Sequence, residues 1–298
     1  MHMRVYWSPG YIIFTIFNYL IIAILALSCV LPIVNLLAIS LSSARAVGSG
    51  QVGFWPVEFQ LISFELILEN TAFWRAGWIS IQRVAAAVPL VIAMTIISAY
   101  PLSREPEEFK MRTFFMFFFI VTMVFGGGLI PSFMIINAIG LMDNFWVFII
   151  PGMFSAWNAI LMMHFIRGLP RELEEAAEID GATKLKVLYK VLIPLLKPSI
   201  ATIALFTAVG HWNDWFTGFI FFNRPESWPL QTYLRSIVVN PALILRTLPP
   251  DQVARMMTVS DRTSQAAQLF VALIPLMIAY PFAQKYFAGG MTLGSVKG

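Results

Sequence analysis

Gly168–Pro198 reads GLPRELEEAAEIDGATKLKVLYKVLIPLLKP, and the fold is decided here. Pro170 suits the first turn of a helix, where its missing N–H would have no partner anyway. Glu172, Glu174 and Glu175 follow, well placed against the positive end of a helix dipole. Gly181 then interrupts, as a residue that takes positive φ at no steric cost, ending one helix and turning the chain. Leu185, Leu188, Leu192 and Leu195 recur at helical spacing and predict a second helix, with lysines elsewhere on its surface. The expectation is a helix–glycine–helix elbow whose apolar side rests on a larger apolar body.

That body lies on both sides of the elbow. The chain has 298 residues, 58% hydrophobic and only 12% charged. A soluble domain carries about 25% charge. Six apolar segments stand out, at Ile12–Ser40, Trp78–Leu102, Thr113–Ile136, Phe145–Ile166, Pro198–Phe222 and Ala266–Phe287. A bilayer core of about 30 Å needs about 20 apolar residues per helix. Backbone in lipid must satisfy its own hydrogen bonds, and no segment alternates as a barrel strand would, so each is expected to be a helix. The predicted fold class is an all-α polytopic membrane protein: one transmembrane domain over 1–298, six spans, and a cytoplasmic elbow at 167–197.

Lysine and arginine orient the spans. With the N-terminus in the cytoplasm, the inner segments are Met1–Tyr11, Ser103–Arg112, Arg167–Lys197 and Gln284–Gly298, and all seven lysines fall in them. Both termini are then cytoplasmic. Arg224, Arg235, Arg246, Arg255 and Arg262 lie in a long outer loop, which the rule excuses. The first apolar stretch is too long for a signal peptide and lacks a small-residue cleavage site, so it reads as a retained span. Cys29 is the single cysteine and His2, His164 and His211 are dispersed, which excludes disulfides and disfavours a metal site. The net charge of +4 comes without a basic run, so nucleic acid is not expected. Trp55, Trp74 and Trp228 in the outer loops suit an interfacial aromatic belt, or a docking surface for an outside protein.

Glu175-Ala176-Ala177, then Asp180-Gly181-Ala182, then Val191 and Ile193-Pro194, resemble the EAA loop of ABC importer permeases. Val191 and Ile193 replace the family's isoleucine and leucine. Ala99-Tyr100-Pro101-Leu102-Ser103-Arg104 is similar to the end of the second span in maltose-type carbohydrate permeases. Gly127-Gly128-Leu129-Ile130-Pro131 looks like the branch associated with complex oligosaccharides and polysaccharides, including alginate-type importers. Trp212-Asn213-Asp214-Trp215 and the tail from Gly289 to Gly298 resemble the maltose-type permease that lacks a large extra outer domain.

The resemblance implies a type I ABC importer permease of the bacterial inner membrane. Its partners would be a second, homologous permease, two ATPase subunits inside and a sugar-binding protein outside, with a carbohydrate as cargo. The chain has no G-x-x-x-x-G-K-[ST] phosphate loop. ATP and Mg would therefore be held by the separate ATPase, and this chain is expected to be a non-catalytic transport subunit without a cofactor of its own. The family's coupling role falls on Glu175, Ala176, Ala177, Asp180, Gly181 and Ala182; by the residues alone, Glu175 also suits its own helix start. The family's tail contact with the ATPases falls on Gly294, Ser295 and Lys297, which by themselves read as a flexible end.

Polar groups inside spans are expensive and often functional. Asn158 in the fourth span, and His211, Trp212, Asn213, Asp214 and Trp215 in the fifth, supply the aromatic faces and hydrogen-bonding groups that suit a sugar path. They equally suit interhelical bonds, Asp214 with Arg83 being one such pair. A secondary transporter is the rival class, predicting internal repeats and ionisable residues for ion coupling. An intramembrane enzyme would need convergent catalytic groups, and none is apparent.

Overall fold

A computed structural model describes residues 9–239 and 261–290, with side chains at 9–239 and 262–281. Every regular element among the described residues is helical. In chain order they are α1 (Pro9–Ser40), α2 (Ala44–Gly48), α3 (Ile62–Glu69), α4 (Thr71–Ser103), α5 (Arg112–Val124), α6 (Leu129–Ala138) and α7 (Ala156–Arg167). Then follow α8 (Glu172–Ile179), α9 (Lys184–Val187), α10 (Ile193–Leu195), α11 (Lys197–Asn213), α12 (Phe216–Phe221), α13 (Leu230–Val239) and α14 (Asp261–Gly290). Short 3₁₀ turns at Phe145–Phe148 and Ile150–Gly152 lead into α7. A π-helical turn at Leu188–Leu192 joins α9 to α10.

Three helices are long and apolar enough to cross a membrane, Pro9–Ser40, Thr71–Ser103 and Arg262–Pro281 within α14. Three bent pairs bring the number to six if each is one span. The bends are 113° between α5 and α6, 50° between the 3₁₀ turns and α7, and 77° between Lys184–Leu195 and α11. The outer faces match a lipid setting. Ile13, Phe14, Phe17 and Tyr19 of α1, and Phe114, Phe117 and Phe118 of α5, are all exposed. Exposed apolar faces of this kind mark a membrane or partner contact.

The residues fall into two compact units, whose described parts are 9–71 with 261–274, and 72–239 with 275–290. In the first, Ser43 caps α2 by accepting from the Ala46 N–H at 3.2 Å and donates its hydroxyl to the Glu58 carboxylate. Asn35 donates to the Gly53 carbonyl at 2.6 Å. The Ser43–Glu58 bond ties the segment after α1 back onto its own start, and the Asn35–Gly53 bond ties it to α1.

The second unit has two cores. One is built by Ile96, Ala99 and Leu102 of α4, Met162, Met163 and Ile166 of α7, and Val187, Leu188, Leu192 and Leu196 of the elbow's second arm. Leu192 is fully buried, so truncation to alanine would cost about 2–5 kcal/mol. The other core contains Ala87, Val147, Phe148, Ile149, Phe221, Phe222 and Trp228, with the Phe148 and Phe222 rings stacked at 4.6 Å. Here α12 meets α13 at Gly218, where a Cβ would lie 2.8 Å from Pro229 Cδ and collide with the Thr232 hydroxyl. Only glycine permits that approach.

Candidate functional site

The first arm of the elbow, α8, closes by a Schellman arrangement. The Ala182 N–H reaches the Ala177 carbonyl at 2.9 Å and the Gly181 N–H reaches the Glu178 carbonyl at 2.9 Å. Both bonds require the left-handed residue between them, and Gly181 sits at φ +79°. Thr183 opens the second arm, its hydroxyl accepting from the Lys186 N–H at 3.4 Å. Lys184 Nζ crosses the bend to Glu178 at 2.5 Å. That hydrogen bond and the Glu178 charge hold the Lys184 ammonium above its ordinary value. The π-helical turn comes just before Pro194, whose nitrogen has no hydrogen to donate back one turn.

Side chains around Gly181 divide by face. Ala177 and Ala182 pack half-buried against the core, while Glu175, Ala176, Asp180 and Gly181 are exposed. Among the described residues Glu175 has no ion-pair partner. Large apolar groups accompany them outward: Ile179 is 87% exposed, Leu185 74% and Tyr189 74%. The buried row of the second arm is therefore Val187, Leu188, Leu192 and Leu196. Leu185 and Leu195, expected on that face from their spacing, turn outward instead.

Beneath the elbow lies a set of ion pairs that sequence spacing did not suggest. Glu174 is buried and receives the Arg104 guanidinium on both oxygens, at 2.8 and 3.1 Å. Burial alone would lower the Arg104 pKa, but the hydrogen bond and charge of Glu174 win and hold it above the usual arginine value. Arg104 also lies 4.4 Å over the Tyr100 ring, and the Tyr100 hydroxyl donates to the Lys184 carbonyl at 3.2 Å. Arg167 donates to the Ser103 carbonyl at 3.1 Å and Arg112 to the Leu102 carbonyl at 3.0 Å. Arg171 pairs with Glu105. Arg104, Glu105, Arg167, Arg171 and Glu174 line a polar recess of about 230 Å³. Arg104 was visible only as the end of a familiar segment, and Glu174 only as part of an acidic first turn.

The polar residues of the fifth apolar segment gather at a helix break. α11 stops at Asn213 and α12 starts at Phe216. Asp214 bridges them, its Oδ1 accepting from the N–H groups of Phe216 at 2.9 Å and Thr217 at 3.2 Å. Its Oδ2 takes the Thr217 hydroxyl at 2.5 Å and pairs with Arg83 of α4. Arg83 donates further to the Asp214 carbonyl at 3.1 Å and to His211 Nδ1 at 3.2 Å, and lies 4.6 Å over the Phe148 ring. With Nδ1 accepting, neutral His211 carries its proton on Nε2.

A recess of about 360 Å³ beside this cluster is lined by Arg83, Phe148, Asn158, Phe206, Thr207, His211, Asp214 and Thr217, among others. Of the six path candidates, the structure brings Asn158, His211 and Asp214 to this recess. Trp212 is buried elsewhere with its Nε1–H lacking a partner, and Asn213 is exposed. Trp215 stacks under Arg235 at 4.6 Å. Gly294, Ser295 and Lys297 lie outside the described residues. Among the described residues no group of three or more histidine, cysteine or acidic side chains is placed to hold a metal ion.

A helical bundle with lipid-suited faces, broken helices around buried polar groups and an exposed glycine elbow defines a membrane transport subunit. Residues 86–292 match the model of the binding-protein-dependent transport system inner membrane component, and the chain belongs to that family, whose members are non-catalytic permease subunits of ABC importers. It is 33% identical over 294 residues to the polygalacturonan/rhamnogalacturonan transport system permease protein YtcP of Bacillus subtilis (strain 168), covering 96% of this chain and 99% of that protein. The protein LplC of the same organism is 32% identical, with 96% and 95% covered. Among solved structures, a bacterial ABC transporter involved in the import of the acidic polysaccharide alginate contains a chain with TM-score 0.85 and 32% identity, covering 94% of this chain and 99% of that one.

Proposed function

We propose that this chain is one of two related permeases in an ATP-driven importer of acidic oligo- or polysaccharides. The carrying observation is the elbow. Around Gly181 it exposes Glu175, Asp180, Ile179, Leu185 and Tyr189 together, a mixed acidic and apolar face. Such a face suits burial in a cleft of another protein, with the apolar groups as anchors and the carboxylates meeting a basic residue. The partner is a separate ATPase holding ATP and Mg, whose closure moves the elbow and alternates the access of the spans. Six crossings, if each bent pair is one span, put both termini on one side, the lysines make that side the cytoplasm, and the second permease and a sugar-binding protein complete the importer. Gly294, Ser295 and Lys297 reach the ATPases in the same reading.

The substrate class is supported by what the relatives' names record, pectic polymers for YtcP and alginate for the solved transporter. In this chain Asn158, Thr207 and the His211 Nε2–H are the groups free to meet sugar hydroxyls in the recess. Asp214 instead serves as a cap and ion partner, which disfavours a secondary transporter driven by its protonation. The test is uptake of labelled oligogalacturonate or oligoalginate against maltodextrin by the complete importer in proteoliposomes. Uptake of the uronates, dependent on ATP and the binding protein, is expected. Preference for maltodextrin would overturn the substrate class, and uptake without ATP would overturn the mechanism.

A further inference from the structure

We propose that the elbow end of α4 is the pivot of the machine, with Tyr100 and Arg104 as positioning residues. This rests on the elbow being the ATPase dock.

Both arms of the elbow are held from the C-terminal end of α4 and the residue that follows it. Arg104 grips the first arm through the two-pronged bond to Glu174, at 2.8 and 3.1 Å. Tyr100 grips the second through the Lys184 carbonyl at 3.2 Å. The two grips are locked together, because the guanidinium lies on the Tyr100 ring at 4.4 Å. An arginine–carboxylate fork is directional as well as strong, so it resists rotation of α8 as well as separation.

The helix end itself is pinned. An α-helix leaves its last four carbonyls without intrahelical donors, and these ends fray. The carbonyls of Leu102 and Ser103 in α4, and of Arg104 just after it, are taken by Arg112, Arg167 and Arg167 again, at 3.0, 3.1 and 3.4 Å. From that anchored end α4 runs back through Pro101 and Pro89 to Arg83 as one helix, without the π turn or sharp bend of the other route. At 1.5 Å per residue, the Arg104 grip and the Arg83 cluster stand about 30 Å apart on one rod. The covalent route from the elbow to His211 and Asp214 is softer. It passes the π turn at Leu188–Leu192 and the 77° bend before α11. A displacement of the elbow is thus delivered to the Arg83–Asp214 cluster through α4, and the bends on the direct route absorb the mismatch.

The importer reconstituted with its ATPase, second permease and binding protein tests this by uptake per ATP hydrolysed. Glu174→Gln keeps shape and one hydrogen bond but removes the charge. It is expected to retain the ATPase on purification and hydrolyse ATP at near wild-type rate, while uptake per ATP falls about tenfold, within the range of ordinary site-to-site coupling. Tyr100→Phe keeps the ring under Arg104 and loses only the Lys184 bond, for a fall of roughly threefold. The exchange of Arg104→Glu with Glu174→Arg should restore much of the ratio, which mere loss of folding would not allow. Uptake and hydrolysis falling in equal proportion in Glu174→Gln, or an unchanged ratio, would overturn the pivot. So would loss of the ATPase from that variant, since the pair would then only shape the dock. Ile179→Asp, which leaves the pivot untouched, separates the two readings: an ATPase retained by this variant removes the dock and the pivot with it, whereas its release alongside an unchanged ratio in Glu174→Gln removes the pivot alone.

Discussion

Helices break off at Gly181 and at Asp214, and the two bends are made of opposite materials. At Gly181 the backbone does the work: a positive φ and two main-chain bonds stop α8, leaving Glu175, Asp180 and Ile179 uncommitted. At Asp214 the backbone stays in an ordinary extended region, and the side chain stops the helix by capping α12 while pairing with Arg83. A bend closed by its own backbone can present side chains to a partner. One closed by a carboxylate spends that carboxylate on itself. Acidic residues at the two bends therefore differ in what they can offer, although both read as polar signals in an apolar sequence.

The largest effect should come from breaking the second bend. Arg83→Met leaves Asp214 without its cation, and removing one member of a buried pair costs about 3 kcal/mol or more. The Arg83 side chain is only 3% exposed and Asp214 26%, which places the loss at the lower end of that range. Thermal unfolding of the purified chain in detergent should show a clear drop in Tm, and an unchanged Tm would mean that the bend does not depend on the pair. Asp214→Asn keeps an oxygen for the caps on Phe216 and Thr217 and should cost less than Arg83→Met.

Ile179→Asp attacks the first bend where it faces outward. Its side chain is largely exposed, so Tm should hold, while affinity for the ATPase falls by about 2 kcal/mol, the size of an interface anchor. Pull-down of the ATPase measures it. A fall in Tm with retained binding would place Ile179 on the wrong side of the comparison. Gly181→Ala is smaller. It forces a Cβ into φ +79° with open space around it, so only backbone strain of about 1 kcal/mol is expected.

What the sequence made legible follows the same division. The first bend was readable because acidic first turn, glycine and second helix are local signals within one stretch. The second arm buries Leu188 and Leu192 but leaves Leu185 and Leu195 outward, because packing on α4 and α7, and not the arm's own spacing, decides which side is covered. The 113° turn between α5 and α6 hides in an apolar run broken only by Gly126, Gly127 and Gly128. Arg104 with Glu174 and Arg83 with Asp214 are separated by 70 and 131 residues. No periodicity links such positions, and only tertiary packing decides whether a polar group in a span faces cargo or another side chain.

The smallest effect sharpens the comparison from the elbow side. Lys184–Glu178 spans the Gly181 bend at 2.5 Å, yet the lysine side chain is 56% exposed. If the bend is a backbone construction, this pair is an accessory, and Lys184→Gln should cost about 0.5 kcal/mol or less. Because the folded Lys184 pKa is raised, its contribution is fully present below the ordinary lysine value and is lost only as pH rises through the folded one. Between pH 6 and pH 9 the lysine stays charged, so its contribution to elbow stability should be flat over that window. Salt is the effective variable instead: at 1 M the Debye length is about 3 Å, and wild type and Lys184→Gln should converge in Tm. A gap that persists in high salt would show that the side chains, and not the Schellman bonds, hold the first bend, and the contrast with Asp214 would disappear.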